Sequence, residues 1–176
     1  TLKEILLWRN YFAERRENKV FDKIDAWLEM VACNRLTGHS KGFFSVYTLP
    51  PNQAASVKSQ LKINEKRNQK PEYRNTKEII YRKSHQLLRD KLPSNFGQSD
   101  SQINIGSADF TPEIRDESVD LIVTSPPFLD IVNYRQDNWL RMWFANVEIA
   151  ENACWQIRNL DDWLGKMKSA FTEFYR

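Results

Sequence analysis

The run Ser118-Val-Asp-Leu-Ile-Val-Thr-Ser-Pro-Pro-Phe128 constrains the fold of this chain most. From Val119 to Val123 it is apolar except for Asp120, and it is rich in β-branched residues, the pattern of a strand buried on both faces of a parallel sheet. Pro126 and Pro127 offer no backbone N–H, so a ladder must stop there. The segment therefore predicts a strand ending in a rigid elbow tipped by Phe128. Upstream, "INIGSADF" (103–110) predicts a second short strand and a turn, and "TPEIRDES" a short connection between the two.

Elsewhere the texture is helical. Residues 2–32 carry apolar side chains at helical spacing, with a break near Asn18 and a stripe of Phe21, Ile24, Trp27, Leu28 and Val31. "FFSVYTL" (43–49) reads as a short strand or extended piece. Further helices are predicted over 52–69, with Asn52 as a cap, and over 75–90. The polar, turn-rich 91–102 suggests a boundary between a mainly helical region, 1–100, and a second region, 101–176. Helix resumes from Tyr134, where Trp139, Trp143 and Phe144 sit at core spacing. A last helix starts near Asp161-Asp162 and runs to the final residue.

Charge is unevenly spread. Residues 58–91 hold eleven Lys and Arg against four Asp and Glu, a local charge of +7 on a chain whose total is +3. Lys58, Lys62, Lys66 and Lys70 recur every four residues, a spacing that places them along one side of a helix. A solvated helix face and a row of phosphate contacts both fit this pattern. Cys33 and Cys154 are far apart and, with only His39 and His85 beside them, match no metal-ligand spacing, so no metal site is expected. Reduced thiols and a cytoplasmic location are the expectation. No run of about eighteen apolar residues is present, so no membrane span is expected.

Taken with its flanks, the elbow resembles that of the SAM-dependent DNA amino-methyltransferases. "INIGSADF" followed by "SVDLIVTSPPF" is similar to that family's pattern of a strand, an acidic turn near the cofactor, a connection, and a catalytic strand ending in Asp/Asn/Ser-Pro-Pro-Tyr/Phe. The resemblance is specific over 103–144 and weaker over 161–176. It implies an α/β fold, a partial Rossmann-like methyltransferase sheet of two or three strands with a large helical N-terminal part. Within it, 1–100 becomes a DNA-binding or target-recognition insert and 101–176 part of the catalytic domain.

The resemblance also implies a chemistry. An exocyclic amino group is a poor nucleophile because its lone pair is delocalised into the base. Two acceptors on its hydrogens favour a tetrahedral nitrogen. Ser125 would accept one hydrogen bond, the Pro126 carbonyl another, Pro127 would hold the turn, and Phe128 would stack on the flipped base. Serine at the first position favours cytosine over adenine as the target. Asp109, Ser107 and Thr124 become the contacts to S-adenosyl-L-methionine, double-stranded DNA the partner, and Lys58, Lys62, Lys66 and Lys70 the phosphate contacts.

One family element is missing. None of the five glycines forms the Gly-X-Gly pair with which these enzymes bind the methyl donor. The first turn also departs from the family, with Gly106-Ser107 in place of Gly-Asp. The chain accordingly reads as a partial enzyme, inactive in isolation. Two alternatives stay open: a non-catalytic nucleic-acid-binding module that kept the scaffold, and a methyltransferase acting on RNA or on a protein amide.

Overall fold

The computed structural model describes residues 1–46, 56–90, 101–126, 128–129, 133–148 and 157–176. Their regular elements are the helices α1 (Leu2–Glu17), α2 (Lys23–Arg35), α3 (Val57–Lys66), α4 (Thr76–Leu87), α5 (Tyr134–Asp137), α6 (Trp139–Ala145) and α7 (Leu160–Phe174), with one parallel pair of two-residue strands, β1 (Thr37–Gly38) and β2 (Ser45–Val46). The chain divides into two compact units, Thr1–Lys91 with Tyr134–Ala150, and Leu92–Asn133 with Glu151–Arg176.

The first unit is built by helix ends that the sequence encodes locally. After α1, Lys19 takes φ 57°, and the Val20 and Lys19 N–H groups bond back to the carbonyls of Arg15 and Arg16, closing the helix with a left-handed residue. At the start of α2, the Asp22 carboxylate accepts from the Ile24 and Asp25 N–H groups, while Asp25 accepts from the Asp22 N–H. Asn68 and Asn146, both at positive φ, end α3 and α6 in the same left-handed way. A chain poor in glycine thus turns on lysine and asparagine.

α2 packs on α4, and both α1 and α2 pack on α6. Between them lies a core of Phe12, Val31, Ala32, Leu36, Phe44, Ile79, Ile80 and Phe144. Its polar atoms are paired: Trp8 Nε1 donates to Thr76 Oγ1 (3.1 Å) and Trp27 Nε1 to Ser84 Oγ (3.0 Å). Asp25, only 2% exposed, accepts from Arg15 Nε (2.5 Å) and the Tyr11 hydroxyl (2.8 Å). Arg16 holds Glu29 with both guanidinium nitrogens. Arg74 reaches the carbonyls of Ser40 and Phe43, tying down the 39–43 turn. A Cβ at Gly38 would stand 2.5 Å from the Phe43 ring, so a larger residue there requires that ring to move.

The second unit is organised around α7. Its Asn159 cap accepts from the Asp162 N–H, and Met167 and Ala170 are its buried residues. Glu173 accepts from the N–H and hydroxyl of Thr111, each at 2.7 Å. Arg176 bonds Asp116, Glu173 and the Thr111 carbonyl, and its own carbonyl accepts from the N–H of Glu117.

Among the described residues the expected Rossmann-like sheet is absent. Among the described residues the only strand pair is β1–β2, in the first unit, and the segments 101–106 and 119–126 run without strand structure. A single bridge, Ser107 to Phe110, closes the turn between them. Val123, expected in a strand buried on both faces, is 88% exposed, and Ile105, expected in the second short strand, is 102% exposed. The physical reason is that a strand is a pairwise object: β-branched side chains favour extended backbone, but the ladder has to come from a neighbour. The apolar run encodes the first and finds no second.

The other expected elements fall closer. The break near Asn18 is where α1 ends; the expected 52–69 and 75–90 helices are Val57–Lys66 and Thr76–Leu87; the last helix stops at Phe174 rather than at Arg176. Asn52 lies outside the described residues.

Candidate functional site

Ser125 and Pro126 are both exposed at the end of the extended apolar run, and Phe128 is 63% exposed. Pro127, third in the elbow, lies outside the described residues. No hydrogen bond among the described residues takes up the Ser125 hydroxyl or the Pro126 carbonyl. A surface with a hydroxyl, a carbonyl whose orientation proline constrains, and an aromatic ring offers what an unpaired base requires: two acceptors and a stacking face.

Two of the residues expected on the cofactor side, Asp109 and Ser107, are engaged otherwise. Asp109 accepts from the Ser107 hydroxyl and forms an ion pair with Lys166 Nζ of α7 at 2.8 Å. The Lys166 ammonium, then the Ser107 hydroxyl, hold its carboxyl below the usual range. Thr124 is exposed in the extended segment. The partner Lys166 was not foreseen; a lysine one helix away in space and 57 residues away in sequence leaves no local signal. With no Gly-X-Gly turn and with Asp109 committed to Lys166, the described residues do not fit S-adenosyl-L-methionine.

A groove of about 270 Å³ lies elsewhere in the second unit, where Ile114, Arg115, Ser118, Val119 and Ile122 face the end of α7 at Phe174. It contains none of Ser107, Asp109, Thr124, Ser125, Pro126 or Phe128. Among the described residues no three His, Cys, Asp or Glu side chains gather as metal ligands, and no helix is long and apolar enough to cross a membrane. Cys33 is a free, partly buried thiol; burial, then the Glu29 charge, pushes it up to about 11. It is therefore a poor nucleophile. Cys154 lies outside the described residues.

On the first unit, Lys58, Lys62 and Lys66 stand on α3, all exposed, and no carboxylate among the described residues pairs with them. Successive members of such a row are offset by about 40° around the helix, so the three ammonium groups share one side. Lys70 leaves the row, because α3 ends at Lys66 and the chain turns at Asn68. Trp143 and Phe144 are occupied structurally: Phe144 is fully buried, and Arg9 lies 5.3 Å over the Trp143 ring while donating to its carbonyl.

No family model, curated protein or solved structure matches this chain. The function must therefore be argued from the residues themselves.

Proposed function

We propose that this chain is the target-holding part of a DNA amino-methyltransferase. The elbow Ser125-Pro126-Pro127-Phe128 receives the exocyclic amino group of an extruded base, cytosine in preference to adenine, and the basic helices of the first unit hold DNA by its phosphates. The observation that carries this reading is the exposure of Ser125, Pro126 and Phe128 together at the end of the apolar run. At 63% exposure the Phe128 ring has a face on which a base can stack.

In this reading Ser125 Oγ and the Pro126 carbonyl accept the two amino hydrogens, drawing the nitrogen toward tetrahedral geometry and freeing its lone pair. Phe128 stacks on the base and compensates part of the cost of extruding it. The amino group is itself the nucleophile, so no covalent enzyme–base bond is needed, and the raised Cys33 thiol has no part. S-adenosyl-L-methionine is the donor that the motif implies. Since the described residues do not fit it, the isolated chain is expected to bind DNA without methylating it. An enzyme of this kind works on DNA in the cytoplasm.

A duplex carrying 2-aminopurine opposite an abasic site presents an unpaired base that costs less to extrude, without knowledge of a recognition sequence. Its fluorescence is expected to change on adding the chain. Phe128→Ala should abolish that change while leaving duplex affinity within about twofold. An unaltered fluorescence response in Phe128→Ala would refute the base-holding elbow.

A second reading, a nucleic-acid-binding module without catalysis, is favoured by the lysine row on α3 and by the absence of a sheet among the described residues. It expects the same duplex affinity, the same salt dependence, and no effect of Phe128→Ala or Ser125→Ala on the fluorescence.

A further inference from the structure

The face of α4 that points away from the core carries a second row at four-residue spacing: Lys77, Tyr81 and His85. The inner face is fully employed, with Thr76, Ile79 and Ile80 buried and Ser84 bonded to Trp27. Tyr81, in contrast, is 68% exposed, and its ring neighbours the exposed His85 ring at a centroid separation of 6.3 Å and a tilt of 40°. Arg82 lies alongside and neutralises Glu78, the acidic residue of this helix, across one turn at 3.3 Å. Two open rings therefore stand on a helix flanked by cations, within a segment of charge +7.

We propose that the Tyr81–His85 face binds single-stranded nucleic acid, with unpaired bases stacking on the two rings and Lys77 meeting the phosphates. Charge complementarity selects a polyanion. The rings select its form, because a duplex hides its base faces and an unpaired strand exposes them. The α3 row differs in kind: it has lysines without rings, suited to a backbone whether or not its bases are paired. This inference rests on the nucleic-acid part of the function proposed above and not on its methyl-transfer part.

The test compares the whole chain with Tyr81→Ala, Tyr81→Phe and the triple variant Lys58→Ala/Lys62→Ala/Lys66→Ala, measuring affinity by anisotropy for a fluorescent oligothymidine strand and for a mixed-sequence duplex. Circular dichroism checks that each variant folds, and Tyr81, 68% exposed, lies outside the core. Tyr81→Ala is expected to weaken single-strand binding about 5- to 100-fold and duplex binding less than about twofold, with Tyr81→Phe restoring the single-strand affinity. Equal losses on both nucleic acids, or no loss on the single strand, would overturn the platform. If only the triple variant weakens binding, the platform is wrong and the phosphate-contact reading stands. If the wild-type chain binds neither nucleic acid, both fall.

Discussion

The two units of this chain treat their apolar residues in opposite ways. In the first, Phe12, Val31, Phe44 and Phe144 are buried together, and the indole N–H groups of Trp8 and Trp27 each donate to a hydroxyl. In the second, Ile103, Ile105, Leu121 and Val123 stand in solvent along extended backbone. Composition does not separate them; what differs is whether the elements find partners. Helices satisfy their own backbone and need only a shared face to pack, whereas an extended segment needs a neighbour before either its amides or its side chains are covered. The second unit holds its order through side-chain clamps instead, from Glu173 to Thr111 and from Arg176 to Asp116.

The sharpest way to break this contrast is by truncating apolar side chains. Phe144→Ala is expected to cost about 3–5 kcal/mol in denaturant unfolding of the first unit, and Val123→Ala less than about 0.5 kcal/mol. Comparable losses would mean that Val123 is buried in solution. Next in size is Thr76→Val, which leaves the Trp8 indole N–H without its acceptor and should cost about 1–2 kcal/mol; a neutral result would show that water replaces the hydroxyl.

Asp25 gives a pH test of the first unit. Burial raises its pKa, but hydrogen bonds from the Asp22 N–H, Arg15 and Tyr11 outweigh burial and hold the carboxyl below its ordinary value. A carboxylate lowered by folding contributes stability that is complete above its unfolded pKa and lost as pH falls through its folded one. Stability should therefore decline below about pH 4, and Asp25→Asn should be less stable at neutral pH and flatten the decline. An unchanged acid profile in that variant would remove Asp25 from the account. The smallest expected effect lies on α3: replacing Lys58, Lys62 and Lys66 by alanine should reduce the slope of log affinity for duplex DNA against log salt by about 2–3.

How much of this was legible depended on how local each signal was. The end of α1 near Asn18, the helix within 75–90 and the burial of Val31 and Phe144 followed from helical periodicity, which acts within a few residues. Ile24 belonged to the same apolar stripe as Val31, yet it sits exposed in the first turn of α2, since periodicity defines a face without saying how far along it the partner extends. Lys70 fell outside its row because a turn at Asn68 ended the helix early. The sheet was misread for a deeper reason: residues 103–105 and 119–123 have the side chains of buried strands, while pairing is a property of two segments. Neither the Asp109–Lys166 pair nor the clamp at Arg176 left any trace in residue spacing.

Hydrogen exchange at peptide resolution on the whole chain tests the contrast most directly. Amides of α2 and α4 are expected to exchange slowly, through opening of the packed unit, and those of 101–106 and 119–126 to exchange within seconds, since no ladder shields them. Protection over 119–126 matching that of α2 would contradict the account, for it would mean that the apolar run before the elbow is hydrogen-bonded in solution.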